Sequence, residues 1–399
     1  MSNTVYKRLL GVIALIVFSP AAMAVVNDGA SVVYLRKDCG VTDDCFGTMP
    51  ELLDWMWGSG APHNSPRVPS AAAPLVVRIG PGLFEKFNCQ GGAGGAGYVS
   101  LIGSGRTSTT IGKPTDYSGV SVQNCTNLNF QDLAVSHDPS KFNTIVWAGG
   151  GTSTWTNVDV NGTSYGWLDF AGFLATCTPG LKGKHYWFNS RITVTSTAGN
   201  ALGYVSRCGD SWLFSSEIHA HVTGPSSRNM PISVESDSEV HVYGSVLRTT
   251  VDAGMQPNMI LTSGKAVGNN AKIHIHGTGI AVISPQAANI KVLIAEDGGL
   301  IHANGSAYNL STGAGGTIAR IIETTNGNIK APYLWEPQSG LLDITSLTGA
   351  DTYVETDCDS SGDCSGNSSA SKHPHPMVYD DSCAKSGPWF DTVTGECRQ

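Results

Sequence analysis

Four short segments share one pattern, and that pattern narrows the possible folds more than any other feature: SEIHAHVTG from Ser216, SEVHVYGS from Ser238, AKIHIHGT from Ala271 and GLIHANGS from Gly299. Each alternates an apolar side chain with a polar or aromatic one and ends in turn residues, the mark of a strand with one buried face. The histidines His219, His241, His274 and His302 follow one another at intervals of 22, 33 and 28 residues. Variable spacing of this order suits a broad coil of β-structure whose loops accept insertions. Hairpin-built sandwiches would show two-residue turns at shorter spacing. The chain therefore reads as all-β, a right-handed parallel β-helix.

Period-two alternation orients these strands. Ile218 and Ala220, Val240 and Val242, Ile273 and Ile275, and Ile301 and Ala303 face the core. His219 and His221, His241 and Tyr243, His274 and His276, and His302 and Asn304 face outward, and rungs about 4.8 Å apart would stack them into a ladder. Imidazoles two residues apart on one strand can share a metal, so His219, His221, His241, His274, His276 and His302 are the metal-ligand candidates. The same side chains also read as surface stacking on a flat face. No other cofactor is expected.

The ends of the chain differ from this middle. Lys7 and Arg8 precede the apolar run LLGVIALIVF, and SPAAMA carries a small-x-small site at Ala22-Met23-Ala24, so residues 1–24 read as a cleaved signal peptide. No later run approaches ~18 apolar residues, so no transmembrane segment is expected after cleavage. The expected location is outside the cytoplasm, periplasmic or extracellular. Lys7 and Arg8 are the only charged residues removed, so the formal net charge of −8 becomes two units more negative. A chain of that sign is not built to neutralise phosphates, and no nucleic-acid partner is expected.

Ten cysteines in an exported chain argue for disulfides. Spacing leaves the connectivity open, although clustering suggests Cys39 with Cys45, Cys89 with Cys125, Cys177 with Cys208, Cys358 with Cys364, and Cys383 with Cys397. No C-x-x-C pair suggests a zinc site. In TMPELLDWMW, Thr48 and Glu51 form a capping box, Pro50 lies in the first turn, and Leu52, Leu53, Met56 and Trp57 make one apolar face, so a short helix is expected here. Residues 25–74 then form an N-terminal cap with this helix and 75–350 the β-helix. Residues 351–376 form a Ser/Gly-rich linker, and 377–399 a small disulfide-closed piece around Trp389.

Gly92 to Gly97 also spells G-x-G-x-x-G. That motif binds a dinucleotide only where a helix follows, because the helix N-terminus meets the pyrophosphate. YVSLIGSGRTSTTI follows instead, with β propensity and no helical period, so the glycines read as a loop between strands.

CFGTMPELLDWM, LVVRIGPGLFEKF and YVSLIGSGRTSTTI together resemble the opening of the pectin methylesterases, a family of pectin-lyase-like β-helix proteins. The resemblance rests on Phe46 and Thr48 before the helix, on Pro81-Gly82-Leu83-Phe84-Glu85, and on Gly103-Ser104-Gly105 with Thr110 and Ile111. It implies a pectin-like, acidic polysaccharide as partner. It also implies ester hydrolysis by two aspartates, one nucleophile and one acid/base, with an arginine orienting the nucleophile. The family's two acid motifs are not intact in this chain. After Gly162 the chain reads TSYGWLDF, where Asp169 is the one carboxylate, and GNALGYV at 199–205 holds no acid, Asp210 being the nearest. Asp169, Asp210 and Arg191 are the catalytic candidates that the resemblance implies.

The same region is dense in aromatic residues. In an open groove, Trp147, Trp155, Tyr165, Trp167 and Trp187 would stack on sugar rings, whereas buried they would fill core and cap. Two readings follow. One is an exported pectinesterase-like carbohydrate ester hydrolase with a rearranged acid pair, and the other is a noncatalytic glycan-binding or adhesive surface solenoid.

Overall fold

A computed structural model describes residues 31–39, 44–58, 69–90, 97–113, 115–138, 140, 144–165, 169–176, 182–224, 229–252, 258–263, 271–285, 289–296, 299–304, 307–312, 317–325 and 328–334, with short strands at 353–356, 377–379, 389–391 and 396–398. The expected signal peptide lies outside these residues, as does most of the expected linker.

Strands of successive coils pair in parallel and build three faces. From residue 183 on, the first face holds Gly183–Phe188, Gly209–Phe214, Ser238–Tyr243, Lys272–His276 and Leu300–Asn304. The second face holds Arg191–Ser196, Glu217–Val222, Val246–Val251 and Gly279–Ser284. The third holds Asn200–Ser206, Asn229–Glu235, Asn258–Ser263 and Asn289–Glu296, part of a nine-stranded parallel sheet. This is the expected right-handed parallel β-helix, the hand that parallel crossovers take.

Burial along the first face follows the period of two. Phe130, Trp155, Trp187, Leu213, Val242, Ile275 and Ala303 occupy one inward column in register, all of them buried. Phe130, Trp155 and Trp187 stack face to face, with centroids 4.0 and 4.8 Å apart. Phe173 meets Trp155 and Trp187 edge-on from the third face, so this part of the core is filled with rings.

A ladder of hydroxyls fixes the corner between the first and second faces. Ser190, Ser216, Ser245 and Thr278 each donate to the carbonyl two residues back, at Phe188, Phe214, Tyr243 and His276. Ser216 Oγ also accepts from Ser190 N–H at 3.2 Å, and Ser245 Oγ from Ser216 N–H at 3.1 Å, so each turn is tied to the next. The residue before each hydroxyl turns the chain in the left-handed region, at Asn189, Ser215, Gly244 and Gly277 with φ of 47°, 48°, 52° and 54°. Buried backbone donors at a corner need a partner, and one hydroxyl per rung supplies it. At the other end of this face Gly209, with φ 117°, approaches the rung below so closely that a Cβ would stand 2.5 Å from Gly183 O, so a side chain there would have to displace backbone.

The helix spans Met49–Trp57, one residue inside the expected segment, with both halves of the Thr48–Glu51 capping box formed. Met49, Leu52 and Met56 are buried, and Leu53, Trp55 and Trp57 pack against the core. Glu85, from the Pro-Gly-x-Phe-x-Glu turn, accepts from Met49 N–H at 3.1 Å and pairs with Lys113, which locks the helix N-terminus to the first coils. The sheet begins earlier than residue 75. Ser31–Leu35 pairs in parallel with Leu75–Ile79, because Val33 and Leu35 bury one side of that strand as any later rung does.

Cys39–Cys45 and Cys89–Cys125 are disulfides, as the clustering suggested. Cys208 is also disulfide-bonded, its partner lying outside the described residues. Gly97 opens strand Gly97–Ile102, so a strand and no helix leaves the glycine-rich loop. Near the C-terminus, Met377–Tyr379, Trp389–Asp391 and Glu396–Arg398 form an antiparallel sheet of three strands. The expected Cys358–Cys364 and Cys383–Cys397 pairings lie outside the described residues. Among the described residues no helix is long and apolar enough to cross a membrane.

Candidate functional site

The outward positions of the first face form two side-by-side columns. In one, Tyr186 stacks on Trp212 (4.8 Å), Trp212 on His241 (5.6 Å), and His241 on His274 (4.7 Å), with ring planes within 11° at each step. In the other, Phe188, Phe214, Tyr243 and His276 stack at 5.1, 5.1 and 5.0 Å. These intervals reflect the strand spacing of a parallel ladder, so the backbone sets them. Because each ring covers its neighbour's face, the wall presents ring edges: indole N–H, phenol hydroxyls and imidazole nitrogens. Beside it runs a charged column in register, Lys184, Asp210, Glu239 and Lys272.

The wall is electrically distinctive. Burial pushes His274 down to about 4, with repulsion from His241, His276 and Lys272 adding to it. Burial also lowers His241, against the attraction of Glu239 and Asp210, and lowers His276 with help from His241. Neutral imidazoles at pH 7 keep one donor and one bare nitrogen each. His241 Nε2 lies 3.1 Å from Glu239 Oε1, and its Nδ1 lies 3.4 Å from the Tyr243 hydroxyl.

The expected histidine ladder is corrected in two respects. His219 and His221 stand on the second face, paired in register with Arg248 and Thr250, and contact Thr250 and Asp252 instead of the other histidines. Burial, then Arg248 and His221, lower His219 to about 4. The 22-residue interval from His219 to His241 therefore joins different faces of neighbouring coils, and Trp212 is the rung below His241. His302 keeps its register with His274, yet only 4% of it is exposed and its ring meets His274 and His276 edge-on. Glu239 was not singled out from sequence, although it lies two residues before His241 and so on the same face.

The five aromatic residues expected to form one glycan surface do not share one. Trp155 and Trp187 are fully buried, since their parity on the strand is that of Leu213 and Val242, and this removes both from any surface. Trp147 lies on the third face with Nε1 donating to Thr176 Oγ1 at 3.0 Å. Tyr165 is 63% exposed just past strand Gly151–Ser164, and Trp167 lies outside the described residues.

The three catalytic candidates stand on three different faces. Asp169 opens third-face strand Asp169–Ala175 opposite Asn200, and its side chain lies outside the described residues. Asp210 is on the first face between Lys184 and Glu239. Arg191 is on the second face, exposed, with Nε 3.4 Å from Glu217. Paired-carboxylate hydrolysis needs two acids close enough to hold different protonation states, and Asp169 and Asp210 belong to strands of different faces.

No protein-family model matches the chain, and no curated protein matches it. Solved structures that it is similar to include the pectin methylesterase from Aspergillus niger in deglycosylated form, at 12% identity and a TM-score of 0.35, covering 76% of this chain and 86% of that one. The pectin methylesterase from carrot gives 9% identity and a TM-score of 0.28 over 84% of this chain and 90% of the other. PemA from Erwinia chrysanthemi gives 10% and 0.28 over 74% and 92%. Values this low transfer no activity. The solved structures that the chain is similar to include pectin methylesterases, the family that its sequence motifs resemble.

Proposed function

We propose that this chain is an exported β-helix that binds an acidic, pectin-like polysaccharide along its first face. The observation that carries the reading is the double column Tyr186–Trp212–His241–His274 and Phe188–Phe214–Tyr243–His276, in register and facing outward. Its ring edges offer apolar contact and hydrogen-bonding atoms at every rung, matching a polymer that repeats along the helix axis. At the two ends of the charged column Lys184 and Lys272 suit uronate carboxylates, with the acidic Asp210 and Glu239 between them. The disulfides fit export, since such bonds persist outside the cytoplasm. The binding needs no acid pair.

The test is retention of the purified protein on immobilised pectin, polygalacturonate and a neutral glucan. Trp212→Ala and Tyr243→Ala should each weaken binding to the acidic polymers by about tenfold, the equivalent of one aromatic contact of about 1.4 kcal/mol. Unchanged retention in both variants, or equal retention on the neutral glucan, would refute this reading.

A further inference from the structure

The wall also holds a ligand set. Glu239 Oε1 lies 3.1 Å from His241 Nε2 and 3.2 Å from His274 Nε2, and the three atoms lie within 4.8 Å of one another. Bonds of about 2.0–2.2 Å from a tetrahedral zinc ion would put neighbouring ligand atoms about 3.4 Å apart. Both carboxylate–imidazole edges already have nearly that length. Hydrogen bonding does not account for the second edge: His274 Nε2 is buried and finds no aligned partner, although the carboxylate oxygen is 3.2 Å away. An unaligned nitrogen beside a carboxylate oxygen is what two ligands of one ion look like. The His241 and His274 rings stack at 4.7 Å, a separation imposed by adjacent rungs, so the donor spacing is built into the ladder.

We propose that Glu239, His241 and His274 bind one divalent transition-metal ion of the zinc class. Two imidazoles and one carboxylate suit zinc and its neighbours in the first transition row and do not suit calcium or magnesium, which take oxygen ligands. Three protein ligands leave a fourth position for water or for an oxygen of a bound molecule. Tyr243 acts behind the site, its hydroxyl 3.4 Å from His241 Nδ1, where it orients the ring. Asp210, next to Glu239 in the charged column, adds negative charge, and Lys272 on the other side opposes it.

The full chain, stripped by a chelator, is titrated with Zn2+ against a chromophoric competitor and with Co2+ by its ligand-field absorption. One tight Zn2+ per chain with a tetrahedral Co2+ spectrum is expected. His274→Ala and Glu239→Gln should each lower Zn2+ affinity by about 100-fold or more, since even outer-sphere changes cost about 10–100-fold. The double variant His219→Ala/His221→Ala should bind as the native chain does. Glu239→Gln keeps the side-chain shape and gives the answer alone if His274→Ala fails to fold. No tight Zn2+ on the native chain, or unchanged affinity in Glu239→Gln, would overturn the proposal.

Discussion

Trp155→Ala separates a core role from a surface role for the tryptophans. The ring is fully buried, stacked on Phe130 at 4.0 Å and on Trp187 at 4.8 Å, and met edge-on by Phe173 at 6.0 Å. Its Nε1–H donates to Ser153 Oγ at 2.8 Å, and the same hydroxyl is hydrogen-bonded to His185 Nδ1 at 2.9 Å. Truncating a buried aromatic residue costs about 3–5 kcal/mol, because neighbours on relatively stiff strands close the cavity only in part. Two stacked partners and a hydroxyl that loses its indole donor put this site at the upper end, about 5 kcal/mol. Trp212→Ala removes an equally large ring from an outward position and should cost about 1 kcal/mol. Trp155→Phe, which keeps the stack, should fall between them. Urea unfolding followed by circular dichroism at fixed pH measures all three. A Trp155→Ala loss below about 1 kcal/mol, or one no larger than that of Trp212→Ala, would show that the inward stack is not what holds these coils together.

Several other perturbations test single links. His185 is fully buried and burial lowers it to about 4, so the unfolded chain, with its His near 6.5, binds the extra proton between these values. Its contribution is therefore whole above pH 6.5 and lost as pH falls toward 4, by roughly 3 kcal/mol; urea midpoints at pH 7 and 4.5 should show it, and His185→Gln should remove that part of the slope and leave the part set by other histidines that burial lowers to about 4, such as His219 and His274. Ser216→Ala removes the oxygen that Ser190 N–H uses and should cost about 1–3 kcal/mol in the same assay, whereas no change would mean the corner ladder is dispensable. Replacing Cys89 and Cys125 by serine opens a bridge between residues 36 apart, and loop entropy predicts a loss of about 3–4 kcal/mol, read as a lower urea midpoint than the oxidised parent. Thr48→Ala undoes the capping box and should cost about 1 kcal/mol; an unchanged melting curve would mean Glu85 alone holds the helix N-terminus.

Local chemistry was legible in the chain. The alternation in SEVHVYGS and AKIHIHGT dictates which side chains go in, since a strand's period of two admits no other answer once one face is buried. The same holds for the capping box at Thr48 and Glu51, satisfied within one helical turn, and for the Cys39–Cys45 and Cys89–Cys125 bridges between neighbouring segments. Applied to HYWF, the rule would have turned Trp187 inward with His185 and left Tyr186 and Phe188 outside. Tertiary structure decided which strand lies above which. Coil length varies with loop insertions, so sequence spacing cannot show that His219 belongs to a second-face strand while Trp212 lies beneath His241. The joining of Glu239 to a histidine 35 residues further on, and the parting of Asp169, Asp210 and Arg191 onto separate faces, come from where the coil turns. Those corners depend on hydroxyls bonding across rungs, contacts that exist only once the neighbouring coil is in place.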